Sequence, residues 1–299
     1  MKLPFFLACL FFLARFTFGQ NRQDGYHTGD EPDPRWARVQ LLYIANINGN
    51  LENCGCGDPA LGGMDNLVPL IDKYRKKALK TIVVAGGDIL NSYPDSLLND
   101  IMLKGITFIK PDLYAPGEQE LMDGSRFFKN RIDHTRITLL GTNYYLKNCS
   151  GCMVDSYKLS RPAINILAWF SKDVYHGKKP PHGFLYRNAR FKDKYGRMDK
   201  NDFNILLFHG ALQSYFKFVM GYDDFDLVLF SHDQRLKVQT NKNTRYVFPG
   251  SDGEYMIRVV LYGKTSKLKP WIQKIPVKIV PHPSREMIRL IKEYHKKSP

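Results

Sequence analysis

Seven short runs of aliphatic and β-branched residues dominate the first three quarters of the chain. They are Val39 to Ala45, Thr81 to Ala85, Leu113 to Ala115, Ile137 to Leu140, Ile164 to Phe170, Phe203 to Phe208 and Leu227 to Phe230. Such runs suit buried strands. Stretches of helical period lie between several of them, notably Met64 to Lys77 and Leu97 to Leu103. Strands alternating with helices predict a mainly parallel sheet with helices on its faces, an α/β domain. The later runs, Tyr246-Val247-Phe248, Met256 to Leu261 and Trp271 to Val280, have no long helix between them. They predict antiparallel strands that close a second sheet. Ser284 to Lys297 forms a basic amphipathic pattern, with Met287, Ile288, Leu290 and Ile291 able to share one face. Packing against the domain is its expected use, and membrane contact the alternative.

The N-terminus reads as a secretory signal over residues 1–19. Lys2 precedes the apolar run Phe5 to Ala14, and Thr17-Phe18-Gly19 places small residues at the −3 and −1 positions. The run is too short to span a bilayer, and no later segment reads as transmembrane. The expectation is an exported protein, periplasmic or secreted. Residues 20–37 are polar and rich in Gly, Asp and Pro, as in a flexible tether. Residues 38–283 form the domain, and residues 284–299 the basic C-terminal helix.

The formal net charge is +15. A surface so basic attracts anions such as phosphorylated small molecules. No zinc-finger spacing, Arg/Gly repeat or recognition-helix signature accompanies it, which speaks against nucleic acid as the partner. Of five cysteines, Cys9 lies in the leader. The others form two pairs, Cys54 with Cys56 and Cys149 with Cys152. In an exported chain they point to disulfides, and the spacings also allow soft-metal binding or redox cycling. The four could be cross-linked to one another, bind a metal through four thiolates, or staple loops.

In α/β sheets, ligand-binding groups project from loops at the C-terminal ends of strands. Here those loops are Asn46-Ile47-Asn48-Gly49-Asn50, Gly86-Gly87-Asp88, Gly117-Glu118-Gln119-Glu120, His209-Gly210 and Ser231-His232-Asp233-Gln234, followed by Pro249-Gly250-Ser251. Each has an ordinary use as a turn or cap. Jointly, Asp88, Glu118, His209 and His232 supply two carboxylates and two imidazoles, a set suited to zinc, manganese or iron.

In order and strand-end placement this series resembles the calcineurin-like metallophosphoesterases. Asn48-Gly49-Asn50-Leu51-Glu52, Cys54-Gly55-Cys56, Leu61-Gly62-Gly63, Gly117-Glu118 with Glu120-Leu121, Gly141-Thr142-Asn143 and Phe248-Pro249-Gly250-Ser251 resemble the 5′-nucleotidase branch. The similarity is greatest to an exported bacterial subgroup with Cys-Gly-Cys. The resemblance spans about Arg38 to Tyr262. It implies a four-layer α/β/β/α sandwich, with two mixed sheets flanked by helices, and a two-metal hydrolytic site.

The departures fall on one side of that site. The family's first Asp is Asn46, its first His is Asn48 and its last His is Gln234, and these three ligate one metal. Its catalytic His is Gln119. The second metal's set survives as Asp88, Glu118, His209 and His232, with Glu118 in place of the family's Asn. The resemblance therefore implies one divalent metal at most, and weak or absent hydrolysis of phosphate esters. Asn48, Asn50 and Gln119 would orient an anionic ligand. A single-metal phosphoesterase acting on a phosphorylated small molecule is the alternative, and a scaffold binding an envelope protein partner is a further use of such a fold. The stretch after Tyr262 is too short for the base-binding domain of 5′-nucleotidases, so nucleotide preference does not carry over.

Overall fold

Each aliphatic run becomes a strand because its neighbours supply hydrogen bonds on both edges and apolar cover on both faces. The structure is a computed structural model. It describes residues 29–53, 55, 58–76, 79–132, 136–147, 149, 151–176, 183–219, 222, 224–265 and 267–298. The leader 1–19, Cys54 and Cys56 lie outside the described residues.

The chain runs β1 (Ala37–Ile44), α1 (Met64–Arg75), β2 (Thr81–Ala85), α2 (Ser96–Ile109), β3 (Leu113–Tyr114), α3 (Ser125–Arg131), β4 (Thr138–Leu140), β5 (Tyr144–Leu146), β6 (Met153–Val154), β7 (Tyr157–Ser160) and β8 (Ala163–Phe170). It continues through β9 (Phe184–Tyr186), α4 (Asn188–Tyr195), β10 (Phe203–Gly210), α5 (Leu212–Val219) and β11 (Leu227–His232). Then come β12 (Leu236–Asn241), β13 (Thr244–Pro249), β14 (Tyr255–Tyr262), β15 (Lys269–Pro276) and α6 (Arg285–Lys297).

Two mixed sheets result. The first has the order β15-β14-β1-β2-β3-β4-β6 and the second β12-β13-β11-β10-β8-β7, while β5 and β9 form a small separate ladder. The strands from β1 to β6 in the first sheet are parallel, and so are β8, β10, β11 and β13 in the second. The expectation for the last three runs needs correction. Tyr246 to Phe248 lies in β13 and runs parallel to β11. Met256 to Leu261 and Trp271 to Pro276 lie in β14 and β15, which extend the first sheet: β14 pairs antiparallel with β1, and β15 antiparallel with β14. The pairing of β14 with β1 joins residues more than 200 apart in sequence, such as Leu41 with Val259, and no local pattern encodes it.

The larger core fills the space between the sheets and beneath α1, α2 and α6, with Leu41, Val83, Ile106, Ile205 and Ile257 fully buried. A second core, built on Phe191, Phe208, Tyr215 and Phe230, lies under α4 and α5. Burial of each large side chain contributes about 1.5–3 kcal/mol. Polar bonds fix one sheet against the other. Tyr43 donates its hydroxyl to the Phe230 carbonyl at 2.8 Å. Asn143 accepts from the Phe170 N–H at 2.8 Å and donates to the Phe170 carbonyl at 2.9 Å. Ser284 caps α6 by accepting from the Met287 N–H, and Met287, Leu290 and Ile291 are buried against α1 and α2.

β1 begins at Ala37, inside the segment 20–37. Part of that segment rests on the first sheet: Trp271 donates its indole N–H to the Gly29 carbonyl, and Arg258 pairs with Glu31 at 2.7 Å. Cys149 and Cys152 form a disulfide with each other. Cross-linking of either to Cys54 or Cys56, and a four-thiolate metal site, are thereby removed. Among the described residues, no helix is long and apolar enough to cross a membrane.

Candidate metal centre

The loops after β1, β2, β3, β10 and β11 meet at one edge of the sandwich. The parallel strands deliver their C-terminal ends side by side, and main-chain bonds lace the loops together. Asn46 N–H donates to Gly87 O at 3.1 Å, Asn48 N–H to Asp88 O at 3.0 Å, and Gly49 N–H to Ile89 O at 3.1 Å. Asn46, Asn48, Asp88 and His232 all have left-handed backbone, with φ of 52°, 55°, 54° and 70°. Non-glycine residues in this region carry strain, least for Asn and Asp, and clustering of such positions is typical of functional sites.

One donor atom from each of Asp88, Glu118, His209 and His232 falls within 4.8 Å of all the others. His209 Nε2 bonds Glu118 Oε2 and lies 3.7 Å from Asp88 Oδ1. His232 Nδ1 lies 2.8 Å from Glu118 Oε1 and 3.5 Å from Asp88 Oδ2. His209 Nδ1 meets Ser231 Oγ at 2.8 Å, and the ring stacks on Phe170 with 4.8 Å between centroids. Together these contacts fix the ring and aim Nε2 inward.

The electrostatics fit a cation. Asp88 is 1% exposed, and neither carboxylate oxygen accepts a hydrogen bond from the protein. Burial, then the Glu118 charge, pushes its pKa up. Burial also opposes ionisation of Glu118, but the two imidazoles outweigh it and hold the group below the ordinary carboxylate range. His209 is raised despite burial, by Asp88 and Glu118. His232 is raised to about 10, because the Asp88 and Glu118 carboxylates close to its ring outweigh its desolvation. A buried carboxylate without donors is costly unless a positive charge faces it. The donor set and the orphaned oxygens of Asp88 therefore suit a divalent ion.

The amides expected opposite this set are placed differently from one another. Asn46 is fully buried and spends its side chain on the main chain: Oδ1 accepts from His232 N–H at 2.8 Å, and Nδ2 donates to Gly250 O at 2.8 Å and Asp233 O at 3.2 Å. Asn48 Nδ2 donates to Asp252 Oδ1 at 2.9 Å, and its Oδ1 accepts from Gln119 Nε2 at 3.3 Å. Asn50 Nδ2 donates to the Asp252 carbonyl at 3.3 Å. Gln234 is exposed.

Sequence reasoning placed Glu120 in this region without giving it a task. Its buried carboxylate accepts four bonds, from the N–H groups of Asp88, Ile89 and Gly117 and from the Tyr114 hydroxyl. It ties the second strand-end loop to the third and so positions Asp88 and Glu118. Asp252 was also missed, although it directly follows the Pro249-Gly250-Ser251 loop that had been noted. Gly117 is required for close approach: a Cβ there would lie 2.4 Å from His209 Cε1 and 2.7 Å from Asp88 Oδ1.

No family model matches the sequence, and no curated protein matches it. Solved structures do. A 5′-nucleotidase precursor of Thermus thermophilus superposes with a TM-score of 0.70 at 12% identity, over 86% of this chain and 58% of that one. The NAD nucleotidase of Haemophilus influenzae gives 0.68 at 12% identity, over 87% of this chain and 60% of that one. This chain has the metallophosphoesterase fold. The calcineurin-like phosphoesterase YfkN of Bacillus subtilis gives 0.59 at 13% identity, covering 87% of this chain and 97% of that one. The four-layer sandwich implied by the resemblance is thus the fold present. The chain spans about three fifths of the length of the two nucleotidases.

Proposed function

We propose that this chain is an exported metallophosphoesterase-fold protein that holds one divalent cation and hydrolyses phosphate esters weakly or not at all. One observation carries this reading. Asn46 stands where the resemblance puts an aspartate of the other metal, and its amide is consumed by three main-chain partners. An amide turned to that use offers neither a carboxylate's charge nor a free oxygen.

Asp88, Glu118, His209 and His232 would hold the cation, with zinc, manganese and iron all compatible with two carboxylates and two imidazoles. When bound, such an ion polarises a phosphoryl oxygen and lowers the pKa of a water. Ser231 and Phe170 orient His209, and Glu120 holds the loops that carry Asp88 and Glu118. Gln119 can hydrogen-bond an anion but has no proton to transfer near neutral pH, which removes a contribution of roughly 10²–10⁴ in rate. Asn48, Asn50 and Gln119 would orient a phosphorylated small molecule.

The retained quartet favours a second reading, an active single-metal phosphoesterase. Turnover of a panel of phosphate monoesters and diesters, with zinc, manganese or iron added, separates the two. The first reading expects wild-type rates at or barely above those of Asp88→Ala. Efficient metal-dependent turnover that disappears in Asp88→Ala establishes the second.

A further inference from the structure

A cationic cavity lies away from the quartet, at the β6 edge of the first sheet. Its volume is about 520 Å³, and its charged lining consists of Asp155, Arg187, Arg190 and Lys194. Arg187 immediately precedes α4, and Arg190 and Lys194 follow at spacings of three and four residues, so all three share one face. That face is turned toward Asp155, whose side chain is 11% exposed. Arg190 Nε bonds Asp155 Oδ2 at 2.5 Å. Arg187 Nη1 and Lys194 Nζ each stop at 3.9 Å, beyond hydrogen-bond reach.

Asp155 is hydrogen-bonded to Arg190 and lies at ion-pair distance from Arg187 and Lys194, so among the described residues of the lining three cations share one carboxylate, an excess of two positive charges. Their positions are built. The Arg187 guanidinium stacks on the Tyr145 ring at 3.7 Å, and its main-chain N–H donates to Asn143 O at 2.5 Å. Arg187 and Lys194 side chains are only about one third exposed, at 34% each. The Ser156 hydroxyl adds a neutral donor to the lining. A rigid guanidinium whose side-chain N–H groups make no hydrogen bond among the described residues, beside an ammonium, matches the oxygens of a phosphate or sulfate group.

We infer that this cavity is an oxyanion site, for a free or small-molecule phosphate or for a phospholipid headgroup, separate from the metal quartet. The probe is inorganic phosphate, titrated calorimetrically into the full chain in EDTA at low chloride. Wild type and Asp88→Ala are expected to bind it equally. The double variant R187Q/K194Q, which keeps the Asp155–Arg190 pair, is expected to lose affinity by about tenfold or more, as for removal of charge-assisted bonds. R187K/K194R retains both charges and should retain most of the binding. A thermal melt without phosphate checks that each variant is folded. Equal affinity in R187Q/K194Q, no binding by wild type, or loss in Asp88→Ala overturns the assignment. Co-sedimentation with phosphatidylglycerol but not phosphatidylcholine vesicles, abolished in R187Q/K194Q, makes the headgroup the source. Phosphate binding without co-sedimentation makes it a soluble phosphate.

Discussion

Asn46 accepts the main-chain N–H of His232 through its side-chain oxygen at 2.8 Å. One side chain after β1 thus locks the end of β11, in the other sheet, where a site histidine sits. The same amide donates to Gly250 and Asp233. Asn46→Asp would turn two donated bonds into oxygen–oxygen contacts. We expect a loss of about 1–3 kcal/mol in stability, read by denaturant unfolding, with no second metal gained.

Glu120 holds four donors in a fully buried site. In Glu120→Gln one oxygen becomes an NH₂ that faces donors. Unfolding measurements should show a loss of about 2 kcal/mol or more, together with weakened metal affinity. Unchanged metal affinity would mean that the loops hold their shape without it.

Much of this was legible in the sequence. The strand-end positions of Asp88, Glu118, His209 and His232 follow from four apolar runs and the rule that parallel sheets present ligands at their C-terminal ends. The role of Glu120 was hidden because its four partners come from two different loops and from β3. Likewise β12, Leu236-Lys237-Val238-Gln239-Thr240-Asn241, is a polar edge strand without a core pattern, held by pairing to β13. The sheet chosen by β14 depends on its register against β1, which is a tertiary fact.

Gly117 leaves no room for a methyl group beside His209 and Asp88. Gly117→Ala should displace one of these side chains and sharply weaken metal binding. Far-ultraviolet circular dichroism should remain close to wild type, since the collision is confined to the loop. Metal affinity equal to wild type would contradict the packing described.

The metal-free protein should lose stability as pH rises. His232 has its pKa lifted to about 10, against about 6.5 when unfolded. A raised histidine stabilises fully below the unfolded value and stops doing so as pH climbs through the folded value. His209 shifts in the same direction. In EDTA the denaturation midpoint should fall between about pH 6.5 and 10, and His232→Gln should flatten that slope. A midpoint that rises over this window would contradict the ion pairs.

The central claim is one cation, held by Asp88, Glu118, His209 and His232. Elemental analysis of the purified protein, after equilibration with zinc, manganese or iron and removal of excess, tests it most directly. One metal per chain is expected, absent from His209→Ala. Two metals per chain would mean that Asn46, Asn48 and Gln234 complete a second site, and no metal at all would mean that the quartet is closed by its own ion pairs.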